Sequence, residues 1–226
     1  MRITDLLDKR SISLDAVCAS KSDALDQAVA LMVKSGKIND EEAYRKQVYL
    51  REEESTTGIG EGIAIPHGKC DAVTKPGLAA MVIKDGVDFD SLDDEPVNLL
   101  FLIAAPNTED NIHLDVLSKL SMLLMDENFV EKLKNASSVD EFLEIVDAAD
   151  EEKPDLNDQL AAQTETEGSV CRIIAVTSCP TGIAHTYMAA EGLEKAAKSH
   201  NCSIKVETRG SGGAKNVLTD EEIANA

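Results

Sequence analysis

The sequence predicts an α/β fold in two parts, and three observations predict it. Apolar runs of strand length and segments of helical spacing share residues 1–146. A polar acidic stretch, DEEKPDLNDQLAAQTETEGS, then runs from Asp150 to Ser169 with only two leucines as bulky apolar residues. After it the apolar pattern restarts as one strand–helix–strand unit. The expected organisation is a domain over 1–147, a flexible acidic linker over 148–169, and an incomplete parallel βαβ domain over 170–226.

The elements follow in order. SDALDQAVALMVKSGK places Leu25, Ala28, Val29, Met32 and Val33 on one helical face, with Ser22 expected as N-cap and Gly36 as terminator. A second helix is expected from Asp40 to about Glu54, with Ala43, Val48 and Leu50 as its apolar positions. REEESTTGIGEG is polar and glycine-bearing and reads as a loop. GIAIP, LAAMVIK and VNLLFLIAA have strand length and flanking turn residues. EDNIHLDVLSKLSMLLMD returns to helical spacing at Ile112, Val116, Leu117, Leu120 and Leu124. Ser138 with Glu141 forms a capping-box signature for VDEFLEIVDAA.

In the second part, Cys171–Thr177 is an apolar, β-branched strand, SCPTGIAHT a turn, Ala184–Ser199 a helix and CSIKVET a strand. RGSGGAKN reads as a loop, and Thr219 with Glu222 signals another helix start. A βαβ unit of about 50 residues buries too little apolar surface to stand alone, so this domain is expected to continue past Ala226.

Composition excludes several function classes. The 226 residues carry 42 acidic and 22 basic side chains, a net charge of −20. Residues 1–146 hold 28 acids against 15 bases, 147–169 eight against one, and 170–226 six of each. Such a surface repels phosphate backbones and anionic membranes, so no nucleic-acid partner is expected, whereas a basic protein partner is favoured. The five cysteines are odd in number, widely spaced and without CxxC, which fits free thiols in a reducing compartment. MRITDLLDKR is charged from its second residue, and no apolar run approaches 18 residues, so neither signal peptide nor membrane span is expected in this chain.

Four positions carry candidate chemistry. In GIAIPHGK, Pro66 fixes the exit from an apolar strand and Gly68 leaves His67 open to approach. A neutral imidazole nitrogen is a nucleophile near pH 7, although an ordinary turn histidine fits the same residues. His113 stands in the first turn of its expected helix, where the dipole disfavours the imidazolium; a core histidine fits equally. Arg51 precedes the polar loop and offers a fork that matches phosphate oxygens, or a solvated helix end paired with Glu53 or Glu54. Cys179 lies between strand and helix, where the helix N-terminus stabilises a thiolate and free N–H groups form an anion nest; the alternative is a buried, inert cysteine, against which the turn position argues. Six residues after Cys179 stands His185, not the arginine of a thiolate phosphatase loop. Histidines and cysteines show no metal-ligand spacing.

Together these residues resemble one family. GIGEGIAIPHG with the later NIHLDVLSKL is similar to the enzyme IIA component of the phosphoenolpyruvate-dependent sugar phosphotransferase system, fructose/mannitol type. SCPTGIAHTYMAAEGLEKAA followed by KVETRGSGGAKNVLT is similar to the fructose-type enzyme IIB component, of which only the front half is covered. The resemblance implies a mixed-sheet IIA domain flanked by helices, followed by the incomplete IIB domain. It implies a relay in which phospho-HPr phosphorylates His67, Cys179 takes the group, and fructose receives it as a membrane IIC component imports the sugar. By the same resemblance His113, Arg51 and Glu61 support the phosphoryl site, and Pro180, Thr181, Gly182, Ile183, Ala184, His185 and Thr186 form the loop of Cys179. No metal or other cofactor is implied. The location implied is cytoplasmic, with the full-length protein tethered to the inner face of the membrane by a IIC part. The competing readings are a regulatory IIA-type phosphoacceptor, a thiolate phosphatase and a pure binding module.

Overall fold

The structure, a computed structural model, describes residues 2–107, 119–152, 172–178, 184–200, 202–210, 213–224 and 226. By contacts the chain divides into two compact units: Met1–His113 with Glu127–Glu152, and Leu114–Asp126 with Lys153–Ala226.

The first unit opens with a 3₁₀ turn, Ile3–Asp5, and strand β1, Leu7–Ala16. Helices α1, Lys21–Lys34, and α2, Glu41–Glu54, follow, then β2, Gly58–Gly60, β3, Ile63–Ala64, and β4, His67–Cys70. Two long strands, β5, Gly77–Val87, and β6, Val97–Pro106, lead to α3, Glu127–Lys134, and α4, Val139–Glu152. The sheet runs β1-β5-β6-β3-β2, with β4 also paired to β6. β1 is parallel to β5, β5 antiparallel to β6, and both β3 and β4 parallel to β6. This is the mixed sheet flanked by helices that the sequence predicts.

β6 is central, and its unbroken apolar run is the signature of burial on both faces. Leu100, Leu102 and Ala104 join α1 and α2 in one core cluster. On the other face Phe101 meets Phe142 of α4 with ring centroids 6.2 Å apart.

Several expectations shift. The N-cap of α1 is Ser20, not Ser22: its side chain accepts from the Asp23 N–H, while Gly36 ends the helix at φ 77° as expected. The buried face of α2 is Tyr44, Val48 and Glu52; Ala43 and Leu50 are exposed. REEE belongs to that helix, and β2 occupies GIG, so the expected loop shrinks. Of GIAIP only Ile63–Ala64 is strand, β3; Ile65 and Pro66 link it to β4, which starts at His67. Ser138 caps α4 as predicted, but the Glu141 carboxylate accepts from Ser137 instead. That helix reaches Glu152, five residues into the range read as linker. Asp150 is buried there, accepting the Ile3 N–H at 2.9 Å, which anchors the acidic end. Strand β1 and helix α3 had no prediction.

In the second unit residues 119–124 are helical, with Leu120, Leu123 and Leu124 buried. Strand β7, Arg172–Ser178, helix α5, Ala184–Ser199, and strand β8, Ser203–Gly210, form the predicted parallel βαβ unit. The expected loop instead contains β9, Gly213–Lys215, which turns back antiparallel on β8. Helix α6, Asp220–Ala224, starts where Thr219 and Glu222 predict, with both capping-box bonds formed.

Candidate functional site

Pro66 and Gly68 define where His67 stands. The step from Ala64 to His67 carries the chain from one pairing on β6 to the next. The Pro66 carbonyl accepts the Ile103 N–H at 2.9 Å, so the proline keeps its place on the ladder without a donor. At Gly68 a Cβ would lie 3.0 Å from Tyr44 Cε2 and 3.0 Å from Val48 Cγ2. Glycine therefore lets β4 close onto α2. Tyr44 is fully buried in that contact, and its hydroxyl donates to the Ile103 carbonyl at 3.0 Å. Burial, followed by the nearby Cys70, holds the phenol well above its ordinary range, so it stays a donor.

Two helical turns after Tyr44, the same side of α2 presents Arg51. Its Nε–H donates to His67 Nε2 at 3.0 Å. Its Nη1 donates to the Ser55 carbonyl at 3.0 Å and to Ser55 Oγ at 3.3 Å. On the other side of the ring, Nδ1 lies 3.1 Å from the Ile65 carbonyl. A carbonyl can only accept, so Nδ1 carries the proton and Nε2 the lone pair. The arginine bond demands the same tautomer. The half-buried ring thus presents an unprotonated Nε2 with a guanidinium held beside it. A phosphoryl group placed on Nε2 would develop its charge against that guanidinium.

Glu61 is placed elsewhere. It sits exposed on the β2–β3 turn with a left-handed φ of 55°, and its N–H donates to Asp93 Oδ2 at 2.7 Å. That bond, with one from Glu95, holds the Asp93 carboxyl below its usual range. Gly62 lies beside Asn98 and His67 opposite Ile103, which separates Glu61 from His67 by about five or six residues along β6, roughly 17–20 Å. The fold therefore joins Arg51 to His67 and leaves Glu61 at the far end of the strand.

His113 and Cys179, Pro180, Thr181, Gly182 and Ile183 lie outside the described residues. Ala184, His185 and Thr186 form the first turn of α5. Thr186 is buried, and its Oγ1 has no hydrogen-bond partner among the described residues. Sequence reasoning missed Ser55 and Ile65, which touch the site through hydroxyl and backbone atoms; the run STT after an acidic helix end was the available signal. Among the described residues no group of His, Cys, Asp or Glu is arranged to hold a metal ion, and no helix is long and apolar enough to cross a membrane.

Comparison with known proteins adds the following. Residues 5–149 match the family described as "Phosphoenolpyruvate-dependent sugar phosphotransferase system, EIIA 2", and residues 174–226 match "PTS system, Lactose/Cellobiose specific IIB subunit". Over all 226 residues the chain is 45% identical to the PTS system fructose-specific EIIABC component of Bacillus subtilis, spanning 35% of that protein's length. It is similar in structure to nitrogen regulatory protein IIA-Ntr from Neisseria meningitidis, with 30% identity and a TM-score of 0.60 over 64% of this chain and 98% of that one. It is also similar to a chain in the complex of enzyme IIA-mannitol with phosphorylated enzyme IIB-mannitol from Escherichia coli, with 34% identity and a TM-score of 0.55 over 62% and 96%.

Proposed function

Since the chain belongs to the phosphoenolpyruvate-dependent sugar phosphotransferase system EIIA 2 family, we infer that it works as a phosphoryl relay, with His67 first and Cys179 second. The observation that carries this reading is the ring geometry: Nδ1 tied to Ile65, Nε2 unprotonated beside Arg51. The Nε2 lone pair attacks the phosphorus of phospho-HPr. A new N–P bond forms at His67 while the donor's N–P bond breaks and its imidazole leaves with the electron pair. Arg51 neutralises charge on the moving group, the main task in a loose phosphoryl-transfer transition state. In the second step the Cys179 thiolate attacks the same phosphorus, an S–P bond forms, and His67 recovers its lone pair. A sugar hydroxyl oxygen then attacks the phosphorus: an O–P bond forms, the S–P bond breaks with its electron pair returning to the Cys179 thiolate, and the hydroxyl proton passes to solvent.

In this reading residues 1–147 form the IIA domain, 148–169 the linker and 170–226 the front of the IIB domain. His113 supports the phosphoryl group, and Pro180–Thr186 cradle it at sulfur. The partners are HPr and a membrane IIC part that tethers a cytoplasmic chain, and the sugar is fructose. The match of all 226 residues to part of a fused sugar component supports the relay over a purely regulatory phosphoacceptor.

The test is transfer of labelled phosphate from phosphoenolpyruvate through enzyme I and HPr, with wild type, His67→Ala and Cys179→Ser compared. The relay predicts acid-labile label that His67→Ala abolishes and Cys179→Ser reduces. An unlabelled wild type, with carriers active on a known acceptor, overturns it.

A further inference from the structure

Nδ1 of His67 traces by hydrogen bonds to one buried carboxylate outside the pair of proposed phosphoryl carriers, and Nε2 traces through Arg51 to the turn that this carboxylate closes. Glu52, in the last turn of α2, is 8% exposed. Its Oε1 accepts the Thr57 N–H at 2.9 Å, and its Oε2 accepts the Thr57 hydroxyl at 2.6 Å. Lys21, the first residue of α1, pairs with Oε1 at 2.9 Å. The same ammonium reaches Asp90 at 3.2 Å and lies 4.9 Å from the Phe89 ring centroid. A buried carboxylate with this many donors is a fixed point rather than a mobile charge.

From Glu52 two routes lead to the ring. Along the first, the Thr57 carbonyl accepts the Ile65 N–H at 3.0 Å, and the Ile65 carbonyl accepts a hydrogen bond from Nδ1–H. Along the second, Arg51 leans on Ser55 through two bonds from Nη1 while Nε reaches the ring. Ser55 is the C-cap of α2 and is fully extended, φ −171° and ψ 149°, so the helical ladder stops there. What closes residues 55–57 back on the helix is the Glu52 side chain, spanning five residues to Thr57. An unconstrained neutral imidazole samples both tautomers, and only the Nδ1–H form leaves a lone pair on Nε2.

We propose that Glu52 is a positioning residue: clamped by Lys21, it holds Thr57 so that Ile65 fixes the Nδ1–H tautomer of His67 and Ser55 steadies Arg51. Its effect on transfer rests on the relay reading; its effect on the ring does not.

The experiment uses the full chain as wild type, Glu52→Ala and Thr57→Val. It records long-range nitrogen-15 imidazole spectra of His67 above its titration, and initial labelling rates with phospho-HPr. The expected result for Glu52→Ala is mixed tautomers at His67 and labelling slowed about tenfold, with β5 and β6 amide signals unchanged. A His67 ring that stays wholly Nδ1–H, labelled within about twofold of the wild-type rate, overturns the proposal. Should Glu52→Ala not fold, Thr57→Val decides by the same readings. It leaves the lysine–carboxylate pair intact and should shift the tautomer and slow labelling about threefold. If the wild type takes no label but the variants change the tautomer, the positioning role stands and the relay falls.

Discussion

Two glutamates order two turns in this chain, one in each unit, in opposite surroundings. Glu52 is buried under the turn after α2, satisfied by Thr57 and Lys21. Glu222 caps the short α6 near the surface, accepting from Lys205 Nζ at 2.6 and 2.7 Å and from Thr219. The buried clamp specifies a geometry that solvent cannot compete for, and the proposed site is built on it. The half-buried clamp is more open to water and salt, and its strength follows its protonation. Position relative to solvent, more than residue type, separates the two glutamates.

The largest expected effect breaks the first clamp at its far end. Arg51→Ala removes the donor beside Nε2 and should slow phosphoryl acceptance about 100-fold. It should barely move the unfolding midpoint, because the guanidinium is only half-buried. Rapid-quench labelling alongside thermal unfolding checks both halves.

Gly68→Ala attacks the packing instead. The added methyl meets Tyr44 and Val48 at 3.0 Å, and either α2 or β4 must give. The expected cost is about 1–3 kcal/mol of stability by denaturant unfolding, with slower labelling because α2 carries Arg51. A variant with wild-type stability and rate would show that the contact is soft.

The smallest effect sharpens the contrast. The bonds to Lys205, then the Thr219 N–H, lower the Glu222 carboxyl to about 2. A depressed carboxyl stabilises the folded turn fully above its ordinary range near 4.5, and the contribution is lost as pH falls towards about 2. Amide signals of α6 should therefore loosen between pH 5 and 2, and Glu222→Gln should remove that dependence.

Much of this was legible in the sequence because local rules and tertiary demand agreed. The apolar run of β6, the helix from Ala184 to Ser199 and the Thr219–Glu222 cap each follow one period or one spacing. Strand β1 was not legible. Its segment LDKRSISLDA alternates poorly and sets Asp8, Lys9 and Arg10 directly after Leu7, because an edge strand tolerates charge that a central strand does not. At the site, His67 and Arg51 stood out by type and by the turn chemistry around them. Ser55 and Ile65 did not, because they act through backbone or hydroxyl groups whose partners are set by the fold. Glu61 was attached to the site by motif alone, and the register along β6 carries it away.

The central claim concerns one atom. With Nδ1 committed to Ile65 and Nε2 facing Arg51, the proposed relay requires the phosphoryl group on Nε2. Phosphorus–nitrogen coupling in the nitrogen-15-labelled, phosphorylated chain reads the attachment directly. Coupling at His67 Nε2 is the predicted result; coupling at Nδ1 would contradict the account.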